Sequence, residues 1–147
     1  MKILYLCTGN SARSLMAEAL TREMIPKNAA IEVFSAGTHP NGIHPETISV
    51  MKEAGIDMAS FRSKPIAEVP WDSIDLVVTL CDDARRACPT PPAGAHRIHW
   101  GLRDPAAATG TPERIHQSFQ EARDEIRTCV KRLVFELATT RTLRNGA

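Results

Sequence analysis

Residues 7–14 read CTGNSARS and combine a thiol, a run of small residues and an arginine in one short stretch. Cys7 ends the apolar run KILYLC, which predicts a buried strand over residues 2–7. In the loop that follows, backbone N–H groups can turn inward around an anion, and the helix that begins near Arg13 points its positive end at the same place. The loop and the Arg13 guanidinium should both stabilise a Cys7 thiolate, and the guanidinium can bind a tetrahedral oxyanion through two parallel hydrogen bonds.

This pattern predicts a cysteine nucleophile inside an oxyanion-binding loop. The Ser14 hydroxyl can hydrogen-bond the sulfur and make it a better leaving group. A buried strand cysteine and a surface arginine would be the simpler interpretation of either residue alone, but the order of strand, loop and helix favours chemistry. The predicted substrate-binding residues are Thr8, Gly9, Asn10, Ser11, Ala12, Arg13 and Ser14.

A second pair of thiols lies in TLCDDARRACP, residues 79–89. Cys81 ends the apolar strand predicted over residues 74–81, and Cys88 follows seven residues later. If residues 81–88 are helical, a rise of about 1.5 Å per residue separates the two cysteines by roughly 10 Å, whereas a disulfide needs Cα atoms about 4.4–6.8 Å apart. A bridge between them would therefore require the segment to unwind. A redox pair is favoured over two structural cysteines, and a metal site is a weaker alternative because the spacing is neither C-x2-C nor C-x4-C.

A carboxyl group follows the fourth predicted strand. Asp104 precedes Pro105 in HWGLRDPA, residues 99–106, and proline biases the residue before it toward extended geometry. The Asp104 carboxyl could then enter the site and donate a proton to a leaving oxygen, although Asp-Pro is also an ordinary loop start. Cys129 lies in the last predicted helix and is interpreted as a bystander, and the histidines show no metal-ligand spacing.

The elements that must position these residues alternate between strands and helices. Apolar runs predict strands over residues 2–7, 31–37, 74–81 and 96–100, and helical periodicity predicts helices over 14–25, 44–55 and 112–138. This alternation predicts one α/β domain with a parallel sheet covered by helices on both faces, over residues 1–139, with a frayed tail over 140–147. Ligands of such sheets bind beyond the carboxyl ends of the strands, where Cys7, Cys81 and Asp104 should lie.

Composition narrows the functional class. The chain has 147 residues and a formal net charge of +1, which gives no overall field that would favour nucleic acid or membrane partners. The first apolar run is too short for a signal peptide, so we expect a cytoplasmic protein whose four cysteines are free thiols. A monomer is the default expectation.

The loop CTGNSARS resembles the phosphate-binding loop of the low-molecular-weight protein tyrosine phosphatase family, which includes arsenate reductases built on the same fold. The resemblance implies a four-stranded parallel sheet of order 2-1-3-4, in which Cys81 would emerge beside Cys7. The C-x6-C segment resembles the part of the thioredoxin-coupled arsenate reductases that supplies their second and third redox cysteines. The Asp-Pro pair resembles the general acid of the family.

These resemblances imply arsenate reduction by a relay of Cys7, Cys81 and Cys88, with Arg13 and Asp104 as further catalytic residues. Thioredoxin would regenerate the thiols, so no bound organic cofactor is needed, and a glutaredoxin- or mycothiol-type reductant stays open. Some members of this branch bind potassium near the loop, for which Asn10, Glu18 and Ser35 are the matching candidates. Two alternatives remain: a tyrosine phosphatase that hydrolyses phosphate monoesters without Cys81 or Cys88, and an oxyanion-binding, redox-sensing module without multiple turnover.

Overall fold

Four parallel strands form one sheet in the computed structural model, which describes residues 1–144 and the side chains of residues 1–140. The strands are β1 (Lys2–Cys7), β2 (Glu32–Gly37), β3 (Leu76–Thr79) and β4 (His96–His99), and their order in the sheet is β2-β1-β3-β4. The helices are α1 (Arg13–Met24), α2 (Pro45–Glu53), α3 (Asp82–Ala87) and α4 (Pro112–Arg144). Short 3-10 turns lie at Ile66–Glu68, Trp71–Ser73 and Pro105–Ala107. The predicted fold class and strand order are confirmed.

The strands bury alternate side chains on two faces. One face carries Ile3, Tyr5 and Val78, which pack against α1, α2 and α4 in the larger core cluster. The opposite face carries Leu4, Leu6 and Val77, and α3 with the first two 3-10 turns covers it. Because β1 pairs with both β2 and β3, Cys7 lies next to Gly37 on one side, while Leu6 pairs with Thr79 on the other. The carboxyl ends of three strands thus meet at the loop that follows Cys7.

The largest differences from the predicted boundaries are at the third strand and the last helix. The third strand is shorter than residues 74–81, because pairing with β4 ends at Thr79 and the chain turns directly into α3 with Cys81 as the residue that caps the helix. The last helix continues past residue 138 to Arg144, since no glycine or proline interrupts the sequence before Gly146. The backbone of residues 140–144 is therefore helical where we expect a tail, and residues 145–147 lie outside the described part of the chain. No helix within residues 1–144 is long and apolar enough to cross a bilayer.

Helix α4 is joined to α2 by a histidine between two carboxylates. His116 Nδ1 lies 2.5 Å from Glu46 Oε2, and Nε2 lies 2.8 Å from Glu53 Oε2. Gln120 and Arg123 also contact Glu53. Hydrogen bonds from His116 to the two glutamates raise the pKa of His116 above its ordinary value of 6.5, and the bonds that Gln120 and His116 donate lower the pKa of Glu53.

We expect the free energy of unfolding to depend on pH through this histidine. A raised pKa in the folded state gives stabilisation that is complete below about pH 6.5 and is lost as the pH rises through the folded pKa. His116→Gln should therefore lower the stability to urea more at pH 6 than at pH 9. Chemical denaturation of both proteins at the two pH values measures this difference, and an equal loss at both would show that the histidine acts without its charge.

Candidate active site

The loop after β1 is built around the Cys7 sulfur. Asn10 adopts a left-handed backbone conformation with φ 45°, which turns consecutive N–H groups toward one side of the loop. The Asn10 backbone N–H donates to Cys7 Sγ at 3.3 Å, and Ser14 Oγ lies 2.8 Å from the same sulfur. Cys7 is only 3% exposed. Helix α1 begins at Arg13, so its positive end faces this loop as the sequence predicts.

The side chain of Asn10 fixes the direction of the hydrogen bonds around the sulfur. Asn10 Oδ1 accepts from the backbone N–H of Lys64 at 2.9 Å, so Nδ2 must point the other way, where it donates to Ser14 Oγ at 2.7 Å and to Ser35 Oγ at 3.1 Å. Since an amide nitrogen can only donate, the Ser14 oxygen accepts and keeps its own proton for Cys7 Sγ. Ser14 is therefore the donor in its hydrogen bond with the sulfur.

The three candidate potassium ligands lie together, but their oxygen atoms are already engaged. Ser35 donates to Glu18 Oε1 at 2.5 Å. Glu18 is 3% exposed and faces two cations, Arg22 at 2.5 Å and Lys64 Nζ at 3.9 Å. Burial lowers the pKa of Lys64 while the Glu18 carboxylate raises it. A potassium ion would have to displace the Lys64 ammonium, so these residues do not fit a bound potassium ion. Among the described residues, no group of three or more His, Cys, Asp or Glu side chains could hold a metal.

Arg13 and Asp104 meet at the mouth of the loop. Arg13 Nη1 donates to the Leu102 carbonyl at 2.9 Å, and Nη2 lies 3.8 Å from Asp104 Oδ2. The other carboxyl oxygen of Asp104 accepts from the Ala106 N–H at 3.0 Å, which caps the 3-10 turn that begins at Pro105. The carboxyl thus stands beside the guanidinium that would hold the oxyanion, where a general acid is needed.

The second cysteine of the predicted relay touches the loop directly. Thr8 Oγ1 lies 3.3 Å from Cys81 Sγ, although 73 positions separate the two residues in the chain. Cys81 caps α3, and its sulfur accepts from the Ala84 N–H at 3.4 Å. The structure therefore places Cys7, Arg13, Asp104 and Cys81 at one edge of the sheet.

Cys88 lies at the opposite end of α3 from Cys81. Residues 82–87 are helical, so a rise of about 1.5 Å per residue puts Cys88 roughly 10 Å from Cys81 along the helix. The Cys88 thiol is half-buried, and this burial raises its pKa although the nearby Arg97 guanidinium acts to lower it. Cys129 lies in α4, where burial likewise raises the pKa of its thiol. All four cysteines are free thiols.

Two positions that shape the loop are missing from the sequence prediction. Lys64 binds the Asn10 side chain through its backbone N–H. Gly37, at the end of β2, leaves no room for a side chain: an added Cβ would lie 2.7 Å from the Thr8 carbonyl oxygen and 2.9 Å from the Asn10 nitrogen. The sequence indicates only that Gly37 ends the second predicted strand. It does not show that the loop packs against this glycine.

Comparisons with known proteins agree with this geometry. The family described as "Low molecular weight phosphotyrosine protein phosphatase" matches residues 2–143. An arsenate reductase of Bacillus subtilis (strain 168) is 45% identical over 126 residues, which cover 85% of this chain and 89% of that protein. The solved arsenate reductase of Archaeoglobus fulgidus is 29% identical with a TM-score of 0.70, over 90% of this chain and 98% of that one. A thioredoxin-dependent arsenate reductase of Corynebacterium glutamicum is 26% identical with a TM-score of 0.73, over 95% of this chain and 62% of that one.

We expect Gly37→Ala to weaken anion binding with little effect on the rest of the fold. The new Cβ would push the backbone of Thr8 and Asn10 out of place, and a displacement of this kind costs on the order of a hundredfold in turnover at a preorganised site. Titration calorimetry with inorganic phosphate, a tetrahedral oxyanion, should show affinity reduced by at least about tenfold. Gly55→Ala is the matched control, because its φ of 81° makes the substitution strained while no atom lies within 4 Å of the new Cβ. It should lower the melting temperature and leave phosphate binding unchanged, and equal affinity in both variants would contradict the role of Gly37.

Proposed function

This chain belongs to the low-molecular-weight phosphotyrosine protein phosphatase family, and from that premise we propose that it reduces arsenate to arsenite with three cysteines in sequence. The observation that carries the proposal is the contact between Cys81 Sγ and Thr8 Oγ1. A phosphatase needs only the nucleophile, the arginine and the acid, so a thiol against the substrate loop, joined by one short helix to a further thiol, favours redox chemistry. The arsenate reductase of Bacillus subtilis at 45% identity supports the choice of substrate.

The reaction begins with formation of a bond between sulfur and arsenic. The Cys7 thiolate attacks the arsenic(V) atom of arsenate, which the loop N–H groups and Arg13 hold by its oxygens. An arsenic–oxygen bond breaks, and Asp104 donates a proton so that the oxygen leaves as water. The product of this step is an arsenic(V) adduct on Cys7.

The redox step follows at Cys81. Its thiolate attacks Cys7 Sγ, a disulfide forms, and the bonding pair of the sulfur–arsenic bond stays on arsenic, which leaves as arsenite in the +3 state. The Cys88 thiolate then attacks Cys81 Sγ and releases Cys7 as a thiolate. Because α3 separates Cys81 from Cys88 in the reduced protein, this exchange requires the helix to unwind.

Thioredoxin is the proposed reductant of the Cys81–Cys88 disulfide. Unwinding of α3 would move this bond toward solvent, where a protein dithiol can attack it. The thioredoxin-dependent reductase of Corynebacterium glutamicum, with the same fold at 26% identity, supports the assignment. The electrons for arsenate reduction would then enter as thiols, with no bound organic cofactor.

Phosphate monoester hydrolysis is the second candidate activity. Arsenate and phosphate are both tetrahedral oxyanions, and the arrangement of Cys7, Arg13 and Asp104 suits either one. We therefore expect slow hydrolysis of aryl phosphates by the same loop.

Loss of either relay thiol should abolish multiple turnover of arsenate. In an assay with thioredoxin, thioredoxin reductase and NADPH, Cys81→Ser should release no arsenite beyond background, and Cys88→Ser should stop after one turnover. Cys129→Ser is the matched control and should retain the wild-type rate, since Cys129 lies in α4 away from the loop. Aryl phosphate hydrolysis that survives all three changes, with no arsenate turnover by wild type, would identify a phosphatase instead. One equivalent of arsenite from wild type itself would identify a sensing module.

Asp104→Asn should slow both activities. Loss of a general acid typically costs about a hundredfold or more in rate, and the amide cannot supply the proton that the leaving oxygen needs. Burst kinetics with an aryl phosphate and single-turnover arsenite release both report the step at Cys7. If only arsenate turnover fell, Asp104 would instead act in the later thiol exchange.

A further inference from the structure

Strand β4 places two side chains on the face of the sheet that is covered by α3, the helix between Cys81 and Cys88. Ile98 packs into the larger core cluster with α1 and α4, so the residues on either side of it, Arg97 and His99, lie on the opposite face of the sheet. That face is the one that α3 covers. Arg97 lies near Cys88 at the end of α3, and its charge acts on the Cys88 thiol. His99 lies at the beginning of the helix.

His99 joins the sheet to the first residue of α3. Its Nδ1 atom lies 2.7 Å from Thr79 Oγ1, and its Nε2 atom lies 3.1 Å from Asp82 Oδ1. Thr79 is fully buried, so one end of the imidazole is anchored in the sheet. Asp82 directly follows Cys81 in the chain. Movement of the first turn of α3 would therefore separate Asp82 from His99.

We propose that His99 is a positioning residue for the thiol exchange, acting through Asp82 to hold α3 helical while Cys81 and Cys88 are both thiols. The inference rests on the proposed function, because the two thiols must meet only in the relay. Their separation of roughly 10 Å along the helix has to shrink to the 4.4–6.8 Å of a disulfide. The contact between His99 and Asp82 thus belongs to the dithiol form. A contact present only in the dithiol form stabilises it and makes the disulfide easier to reduce.

Asp83 provides a matched comparison. It also lies in the first turn of α3, and its ion pair runs at 2.8 Å to Arg86 within the same helix. Asp82 similarly lies 3.5 Å from Arg85 but contacts His99 of β4 as well. Neutralising either aspartate removes one charge near the beginning of the helix. Only the change at Asp82 removes a charge that contacts the sheet and weakens the hydrogen bond to His99.

The test measures the equilibrium of the Cys81–Cys88 pair without arsenate. In a Cys7→Ser, Cys129→Ser background, the protein is equilibrated with mixtures of reduced and oxidised glutathione. Two glutathione thiols are released for each intramolecular disulfide formed, and mass spectrometry after acid quenching gives the ratio of disulfide to dithiol. His99→Gln and Asp82→Asn should each shift this ratio about fivefold toward the disulfide, as expected for loss of one hydrogen bond of ordinary net strength. Asp83→Asn removes only an exposed ion pair within the helix, so it should shift the ratio by no more than about twofold.

The double variant separates positioning through Asp82 from a general structural effect. If His99 acts through Asp82, His99→Gln combined with Asp82→Asn should shift the ratio no further than either change alone. Additive shifts, or a ratio in both single variants equal to that of the parent, would overturn the proposal. Asp82 is exposed, so Asp82→Asn carries the test even if His99→Gln fails to fold. A parent that forms no Cys81–Cys88 disulfide at any glutathione ratio would overturn the relay as well, which distinguishes failure of the proposed function from failure of this inference.

Discussion

In the proposed reaction the loop after Cys7 binds the oxyanion through its backbone N–H groups, so these groups contribute little to holding the shape of the loop. This constraint explains why Asn10 is completely buried. Its side-chain amide donates to Ser14 and Ser35 and accepts from the Lys64 backbone, and it thereby replaces the hydrogen bonds that a more regular turn would make internally. Asparagine suits the position because it tolerates left-handed backbone better than most residues and carries donors and an acceptor on one short side chain.

The hydrogen-bond network of Asn10 also connects to a buried carboxylate that is neutralised by two cations. Glu18 is a buried carboxylate, and such a group is costly unless it is paired. Arg22 and Lys64 provide that pairing. Ser35 donates a hydrogen bond to the carboxylate and accepts one from the Asn10 amide. Because Glu18 has its own cations, Arg13 is not needed to neutralise it and faces Leu102 and Asp104 instead. The charge of Arg13 is thus directed to the side from which an oxyanion would approach.

The residues within one segment could be predicted from the sequence, whereas contacts between distant segments could not. The thiol, loop and arginine of residues 7–14 lie within two consecutive elements, whose types follow from apolar periodicity, and the strand order follows from the family resemblance. Thr8 and Cys81 are 73 positions apart, and Asn10 and Lys64 are 54 apart, so no local pattern connects them. The tight contact of Gly37 with the loop depends on distances of 2.7 to 3.0 Å between the position of an added Cβ and loop atoms, and the periodicity of the sequence gives no information on such distances. The end of α4 shows the converse error: the sequence analysis predicts a frayed tail from residue 140, whereas the helix continues to Arg144 because no glycine or proline precedes Gly146.

The short length of α3 has a physical consequence for the thiol chemistry. A helix of six residues is not stable by itself in water, so its contacts at both ends and the burial of Ala84 must hold it in shape. Cys81 is part of this support, since its sulfur accepts from the Ala84 N–H. A sulfur atom in a disulfide is a weaker acceptor for that N–H than a thiolate is. In the proposed relay, bond formation at Cys81 would therefore weaken the helix that separates it from Cys88, and this gives the proposed order of the thiol reactions a physical basis.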